Sequence, residues 1–226
     1  MTTETKTRGR KAPPRDAGDA RTRLIETAER LFAERGIDAV SLRLINREAG
    51  ERNTSSIHYY FGDRAAVIEA VVERRMSAIN ARRLAEIAEM RADGRDRSLR
   101  DVVAAYVRPL ADQMSRGAES PGSAYVRFLA QAYASAEIDI PRLARGRWDQ
   151  SLQAVVEMAR ALLPDLPEAV FRERTAVFFR GVVYALADRE RDDLTGRARP
   201  GRLPLPDFVE DVIDMQTAAL SAPART

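Results

Sequence analysis

From Arg21 onward the chain sets apolar residues at Leu24, Ile25, Ala28, Leu31 and Phe32, a spacing that lines one face of an α-helix, and Gly36 supplies its stop. Ser41 is placed to cap a second, short helix carrying Leu42, Ile45 and Ala49, which Gly50 ends. Asn53 is placed to cap a third, with Ile57 and either Tyr60 or Phe61 turned inward before Gly62. Residues 20–64 therefore predict a compact three-helix unit.

Longer helices follow. Arg64 to Met90 lacks Pro and Gly and predicts one helix, and Ser98-Leu99-Arg100-Asp101 opens the next with a capping-box pattern, with Pro109 as a possible kink. Ser120-Pro121 predicts the start of a helix running to about Glu137. Pro141 begins another, with Trp148, Leu152, Val155, Val156, Ala159 and Leu162 on one face. The helix from Pro167 to about Asp193 is nearly apolar all round in its middle, through Val177, Phe178, Phe179, Val182, Val183 and Leu186. Phe208, Val209, Val212, Ile213, Gln216 and Leu220 stripe the last helix, after a Gly/Pro/Arg loop over 194–206. No strand pattern competes, so the expected class is all-α.

Composition narrows the function classes. The 226 residues include no cysteine, which excludes disulfides, thiolate metal sites and cysteine nucleophiles. No run free of Asp, Glu, Lys and Arg exceeds ten residues, well short of the roughly 20 that a membrane-spanning helix needs. The start of the chain lacks the apolar core of a secretory signal, so a cytoplasmic location without membrane contact is expected. The net charge of +3 is small, but its placement is uneven: Lys6, Arg8, Arg10, Lys11 and Arg15 face only Glu4 in the first fifteen residues. Residues 1–19 read as a basic arm, either simply solvated or laid on nucleic acid.

The second and third helices, with the turn near Gly50, have the dimensions of a helix-turn-helix, whose second helix enters the DNA major groove. Arg52, Asn53, Thr54, Ser55, Ser56, His58, Tyr59 and Tyr60 supply donors and short polar groups with no acid among them, and Ile57 and Phe61 anchor the other face. These residues carry a resemblance. Leu24-Ile25-x-x-Ala28-x-x-Leu31-Phe32-x-x-x-Gly36, Ser41-x-Arg43-x-Ile45, Ala49-Gly50 and Ile57-His58-Tyr59-Tyr60-Phe61-Gly62-Asp63-Arg64, in that order, closely resemble the DNA-binding region of the TetR family of bacterial transcriptional regulators. The resemblance covers residues 21–72. It implies a homodimer built on the last two helices and an effector pocket among the middle ones. This sequence departs from the family at Asn46, where Ala is common, and in a turn one residue longer than usual; His58 and Tyr60 also exchange the types usual at those positions.

Carried over residue by residue, the resemblance makes Arg43 a base or phosphate contact, Tyr59 a phosphate contact and Arg64 part of a phosphate site at the start of the fourth helix. Ser41, Arg52, Asn53, Thr54, Ser55, Ser56 and His58 complete the candidate DNA surface, with capping or plain solvation as the alternative for each. His58 is the only histidine, so no metal site and no cofactor are expected. Tyr106, Met114, Tyr125, Phe128 and Trp148, with Tyr133, are candidates to line an effector cavity, and ordinary core packing is the alternative. Phe179, Val182, Val183, Leu186, Phe208 and Val212 are the candidate dimer contacts, with Gly181 allowing close approach across the seam.

The expected organisation is a basic arm over 1–19, a helix-turn-helix domain over 20–64, and a helical effector-binding and dimerisation domain over 65–226. The expected function is a dimeric, ligand-responsive regulator, a repressor that binds a palindromic operator in double-stranded DNA and is released by a small molecule. An architectural DNA-binding protein without an effector is the alternative. An enzyme is not expected, because Glu73, Glu86 and Asp112 sit on ordinary amphipathic helices with no nucleophile motif or glycine-rich phosphate loop, and no catalytic residue is assigned.

Overall fold

The computed structural model describes residues 16–51, 53, 55–114, 123–197 and 200–224. They form α1 (Asp16–Arg35), α2 (Leu42–Glu48), α3 (Ser56–Phe61), α4 (Arg64–Ala92), α5 (Leu99–Ala111), α6 (Tyr125–Ala134), α7 (Ile140–Ala144), α8 (Gln150–Leu162), α9 (Glu168–Thr195) and α10 (Leu205–Ser221). No strand occurs among the described residues, and the fold is all-α as its periodicity requires. None of these helices is long and apolar enough to cross a membrane. Of the basic arm, residues 1–15 lie outside the described residues, and α1 already begins at Asp16, inside the span expected to be arm.

The stripe Leu24, Ile25, Ala28, Leu31 and Phe32 is buried, and α1 packs on α4 and α6. Ser41 caps α2 as its position predicts, its Oγ accepting from Leu44 N at 3.2 Å. After α2, Gly50 takes φ +72°, a left-handed conformation that reverses the chain toward α3. The helix expected from Pro141 through Leu162 is instead two. Gly146, also at φ +72°, breaks it, and the buried Trp148 sits in the turn under the Arg147 guanidinium, 4.2 Å from its ring centre. Helix α6 begins at Tyr125; Ser120-Pro121, its expected start, lies outside the described residues. It ends at Ala134, earlier than Glu137, because Ser135 turns extended and its Oγ accepts from Glu137 N.

The three N-terminal helices are tied to the rest through ion pairs and aromatic packing. Glu29 of α1, almost fully buried, accepts from Arg75 of α4 (Nε 2.8 Å, Nη2 3.2 Å) and from the backbone N of Ala124 at 2.9 Å, just before α6. Phe32 of α1 meets Phe128 of α6 at 6.1 Å, and Tyr125 stacks on Phe128 at 5.8 Å. Helices α1 and α6 therefore share one packed and hydrogen-bonded contact.

Inside the larger helical part, Pro109 has no N–H for the Ala105 carbonyl one helical turn back. Arg83 of α4, only 1% exposed, fills that vacancy, its Nε donating to Ala105 O at 3.2 Å. Its other nitrogens donate to Tyr106 O (3.3 Å) and to Ser151 Oγ of α8 (3.1 Å), and the guanidinium lies over the Tyr106 ring at 4.9 Å. Burial pushes Arg83 below the usual arginine range, against the nearby Tyr106, Tyr125 and Glu86. One side chain thus joins α4, α5 and α8.

Much of the apolar middle of α9 is covered by its own chain. Val182, Val183 and Leu186 of α9 and Val212 of α10 are buried within the subunit. Phe179 packs on Tyr106, and Phe208 lies partly buried beneath Arg189. Of the residues expected at the dimer seam, Val182, Val183, Leu186 and Val212 thus pack inside the subunit, where α5, α6 and α10 contact α9, while Phe179 and Phe208 stay partly exposed. Gly181 likewise makes room within the subunit, where an added Cβ would come to 3.3 Å from Gln216 Nε2 of α10. The large hydrophobic side chains that α9 and α10 leave in solvent are Val177, Tyr184, Leu194 and Met215.

Candidate nucleic-acid interface

Helix α3 has six residues and no acid, too few for independent stability, so its neighbours must hold it. Ile57 enters the core. Tyr60 and Phe61 are half-buried against it, with Arg21 of α1 over the Phe61 ring at 5.4 Å. Asn53 does not cap α3 as expected. The cap position falls on Ser55, which gives no side-chain bond, and Asn53 Oδ1 accepts from Ser55 N at 3.0 Å, within the turn. The cap comes from α2: Asn46 Oδ1 accepts from Ile57 N at 3.2 Å, while its Nδ2 donates to Asn53 O at 2.9 Å and Glu51 O at 3.4 Å. The Asn46 departure and the longer turn thus belong to one arrangement.

The outward face of α2 and α3 holds Ser41, Arg43, Asn53, Ser55, His58 and Tyr59, all exposed, with Ser56 half-buried. Tyr59 is 81% exposed and touches only the edge of Tyr60, at 5.1 Å. His58 donates Nδ1–H to Gly62 O at 2.9 Å, which leaves Nε2 as an acceptor toward solvent. Arg43 has no ion pair among the described residues, whereas Arg47 and Arg23 on the flanks are engaged by Glu48 and Glu51. Arg52 and Thr54 lie outside the described residues. The result, among the described residues, is an acid-poor patch of donors beside one large exposed aromatic ring.

Arg64 is engaged by its own chain. It pairs with Glu137 in the stretch before α7, lies 3.8 Å from Asp38, and donates to Ile37 O at 3.4 Å. Asp63 caps α4 through Ala66 N, so the start of that helix already carries a carboxylate. Replacing Arg64 with Ala is expected to leave the salt dependence of DNA binding unchanged. A direct phosphate contact would lower the log-log slope by about one, and a titration across salt concentrations separates the two.

Of the candidate effector residues, Tyr106 and Tyr133 border a cavity. The space holds about 450 Å³ between α5, α6, α7, α8 and α9, and is walled by Tyr106, Tyr133, Ile140, Leu152, Val156 and Phe179. Tyr106 donates its hydroxyl to Phe179 O at 3.2 Å, and burial raises the hydroxyl pKa of both tyrosines above the usual value. Met114, Tyr125, Phe128 and Trp148 are packed into the core. A larger, open groove of about 1060 Å³ between α4, α5, α9 and α10 is bordered by ion pairs, Arg82 with Asp112, Arg108 with Glu210 and Arg189 with Asp193. A ligand there must compete with those pairs.

A helix-turn-helix unit with an exposed, acid-poor second helix, joined to a larger helical part with a partly open, mainly apolar cavity, defines a DNA-binding transcription regulator. Residues 24–71 match the family model described as bacterial regulatory proteins, tetR family, and residues 104–219 match the tetracyclin repressor-like, C-terminal domain. The chain belongs to the TetR family of transcriptional regulators. Among solved structures it is similar to NalD, the secondary repressor of the MexAB-OprM multidrug efflux pump in Pseudomonas aeruginosa. One NalD structure is 17% identical, over 90% of this chain and 98% of that one, with a TM-score of 0.52. A second is 15% identical over 91% and 98%, with a TM-score of 0.49. A TetR-family regulator from Streptomyces coelicolor A3 is 19% identical over 94% and 99%, with a TM-score of 0.40. No curated protein sequence matches the chain.

Proposed function

We propose that the chain acts as a homodimeric repressor that binds an inverted-repeat operator through α3 and leaves it when a small, largely apolar molecule enters the cavity beside Tyr106. The observation that carries DNA reading is Tyr59, which holds a large ring in water at the centre of an acid-poor patch. Two-fold pairing of subunits would present two such patches to successive major grooves, with half-site centres about 34 Å apart or more. Val177 and Tyr184 on α9 with Met215 on α10 supply an apolar surface for that pairing. The cavity's aromatic and aliphatic walls suit an apolar effector.

Tyr59→Phe is expected to weaken binding to all duplexes alike, by about fivefold to tenfold, through one lost hydrogen bond to phosphate. Electrophoretic titration on preferred and random duplexes checks it, and a loss confined to one sequence would assign the hydroxyl to a base instead. Release requires the effector to bind the DNA-free form more tightly, by about 1 to 3 kcal/mol for a typical coupling, and operator to weaken effector binding by the same factor. Equal effector affinity with and without operator would overturn the inducer reading.

A further inference from the structure

We propose that Asn46 is the positioning residue that sets which DNA sequences α3 prefers, acting from α2 without touching DNA. The inference rests on the DNA-binding reading above. Asn46 is 3% exposed and its amide is fully used: the oxygen takes the free N–H at the second residue of α3, and the nitrogen holds two carbonyls of the turn. Its own backbone carbonyl accepts from Glu51 N at 3.2 Å, so both main chain and side chain fix the turn.

This chemistry is specific to asparagine. Aspartate keeps the acceptor for Ile57 N but has no donor for Asn53 O and Glu51 O; alanine has neither, and glutamine adds a methylene to a filled site. Nothing else in the described turn replaces the bond, because Ser55 at the cap position offers none. A six-residue helix keeps its rotation through such external ties, here Ile57, Tyr60 and Phe61 against the core and Asn46 at the start. A slip of one residue turns the helix by about 100°, enough to exchange which of Ser56, His58 and Tyr59 meets a base edge.

Phosphate contacts carry no sequence information, so a misaimed α3 loses discrimination before it loses general affinity. The test uses the full chain as wild type, Asn46→Ala and Asn46→Asp, each titrated on the duplex that wild type selects from a random pool and on random duplex, at several salt concentrations. Asn46→Ala is expected to bind the selected duplex at least tenfold more weakly, to bind random duplex within about twofold of wild type, and to keep the salt slope. Asn46→Asp is expected to lose less, because the cap to Ile57 N survives, and it decides the matter should Asn46→Ala fail to fold. A pool re-selected with a folded variant should yield a different preferred sequence.

Equal weakening on both duplexes, or unchanged preference in a variant with a lowered melting temperature, would make Asn46 a structural residue only and overturn the proposal. Failure of the underlying reading looks different: wild type itself would then select no sequence from the pool.

Discussion

Val177→Asp combined with Met215→Asp is expected to convert a dimer into a folded monomer. Val177 is 68% exposed and Met215 is 55% exposed in the single subunit, so neither change disturbs the core. Val177 stands one helical turn before Gly181 on α9, and Met215 is next to Gln216 on α10, the pair at which the two helices meet. Burying each against a second copy is worth roughly 1.5 to 3 kcal/mol, and an unpaired carboxylate in their place adds a desolvation cost. The dimer dissociation constant should rise by about a thousandfold or more, with operator binding falling alongside it. Sedimentation at micromolar concentration reads the mass, and the melting temperature should stay close to wild type. Phe179→Asp or Val183→Asp should do the reverse: these side chains face the subunit's own core, so the expected result is unfolding. A double variant that remains dimeric would contradict this assignment of the seam.

Replacing Arg83 with Ala is expected to cost about 3 to 5 kcal/mol of unfolding free energy, the sum of a vacated core volume and orphaned buried acceptors. The cause is specific, because Ala105 O lacks a helical donor on account of Pro109, and Arg83 supplies it from α4. Pro109→Ala restores an N–H at that position, so Arg83→Ala should cost less in the Pro109→Ala background, by about 1 kcal/mol or more. Urea unfolding of the four proteins in the cycle measures the coupling. Strict additivity would show that the link between Arg83 and the proline is incidental. The Tyr106 ring under Arg83 also forms part of the cavity wall, and α4 runs from there to the helix-turn-helix.

What the sequence disclosed is what local chemistry fixes. The α1 stripe, the Ser41 cap and the Gly50 reversal depend on neighbours a few residues apart, and they stand as their spacing implies. The cap of α3 did not follow from spacing, because its donor and acceptor are eleven residues apart on different helices. One signal was present: a polar Asn46 directly follows Ile45 on the inward face of α2, where burial demands partners. Glu29 carried a similar signal, lying next to Ala28 and one helical turn from Ile25 on the apolar face of α1, and it proves to join α1, α4 and α6. The seam was not legible for another reason. An all-round apolar helix tells that something covers it, and three helices of its own subunit cover part of it here, leaving Val177 and Tyr184 exposed.

The split between α7 and α8 shows how a single glycine outweighs a favourable stripe. Leu152, Val155 and Val156 continue the face that Trp148 begins, yet Gly146 takes φ +72° and Asp149 accepts from its N–H at 2.9 Å. Among the candidate effector residues, the aromatic types were right for an interior and silent about which of them border empty space. Phe128 and Tyr125 went to the joint with α1, and Tyr106 to the cavity.

The central claim, a paired and sequence-specific reading of DNA through α3, is tested most directly by footprinting the full chain on the duplex it selects from a random pool. The account predicts two protected half-sites of related sequence, inverted about a common centre and about 34 Å or more apart, each lost with Tyr59→Ala. Protection without two-fold symmetry, or equal protection of random duplex, would contradict it.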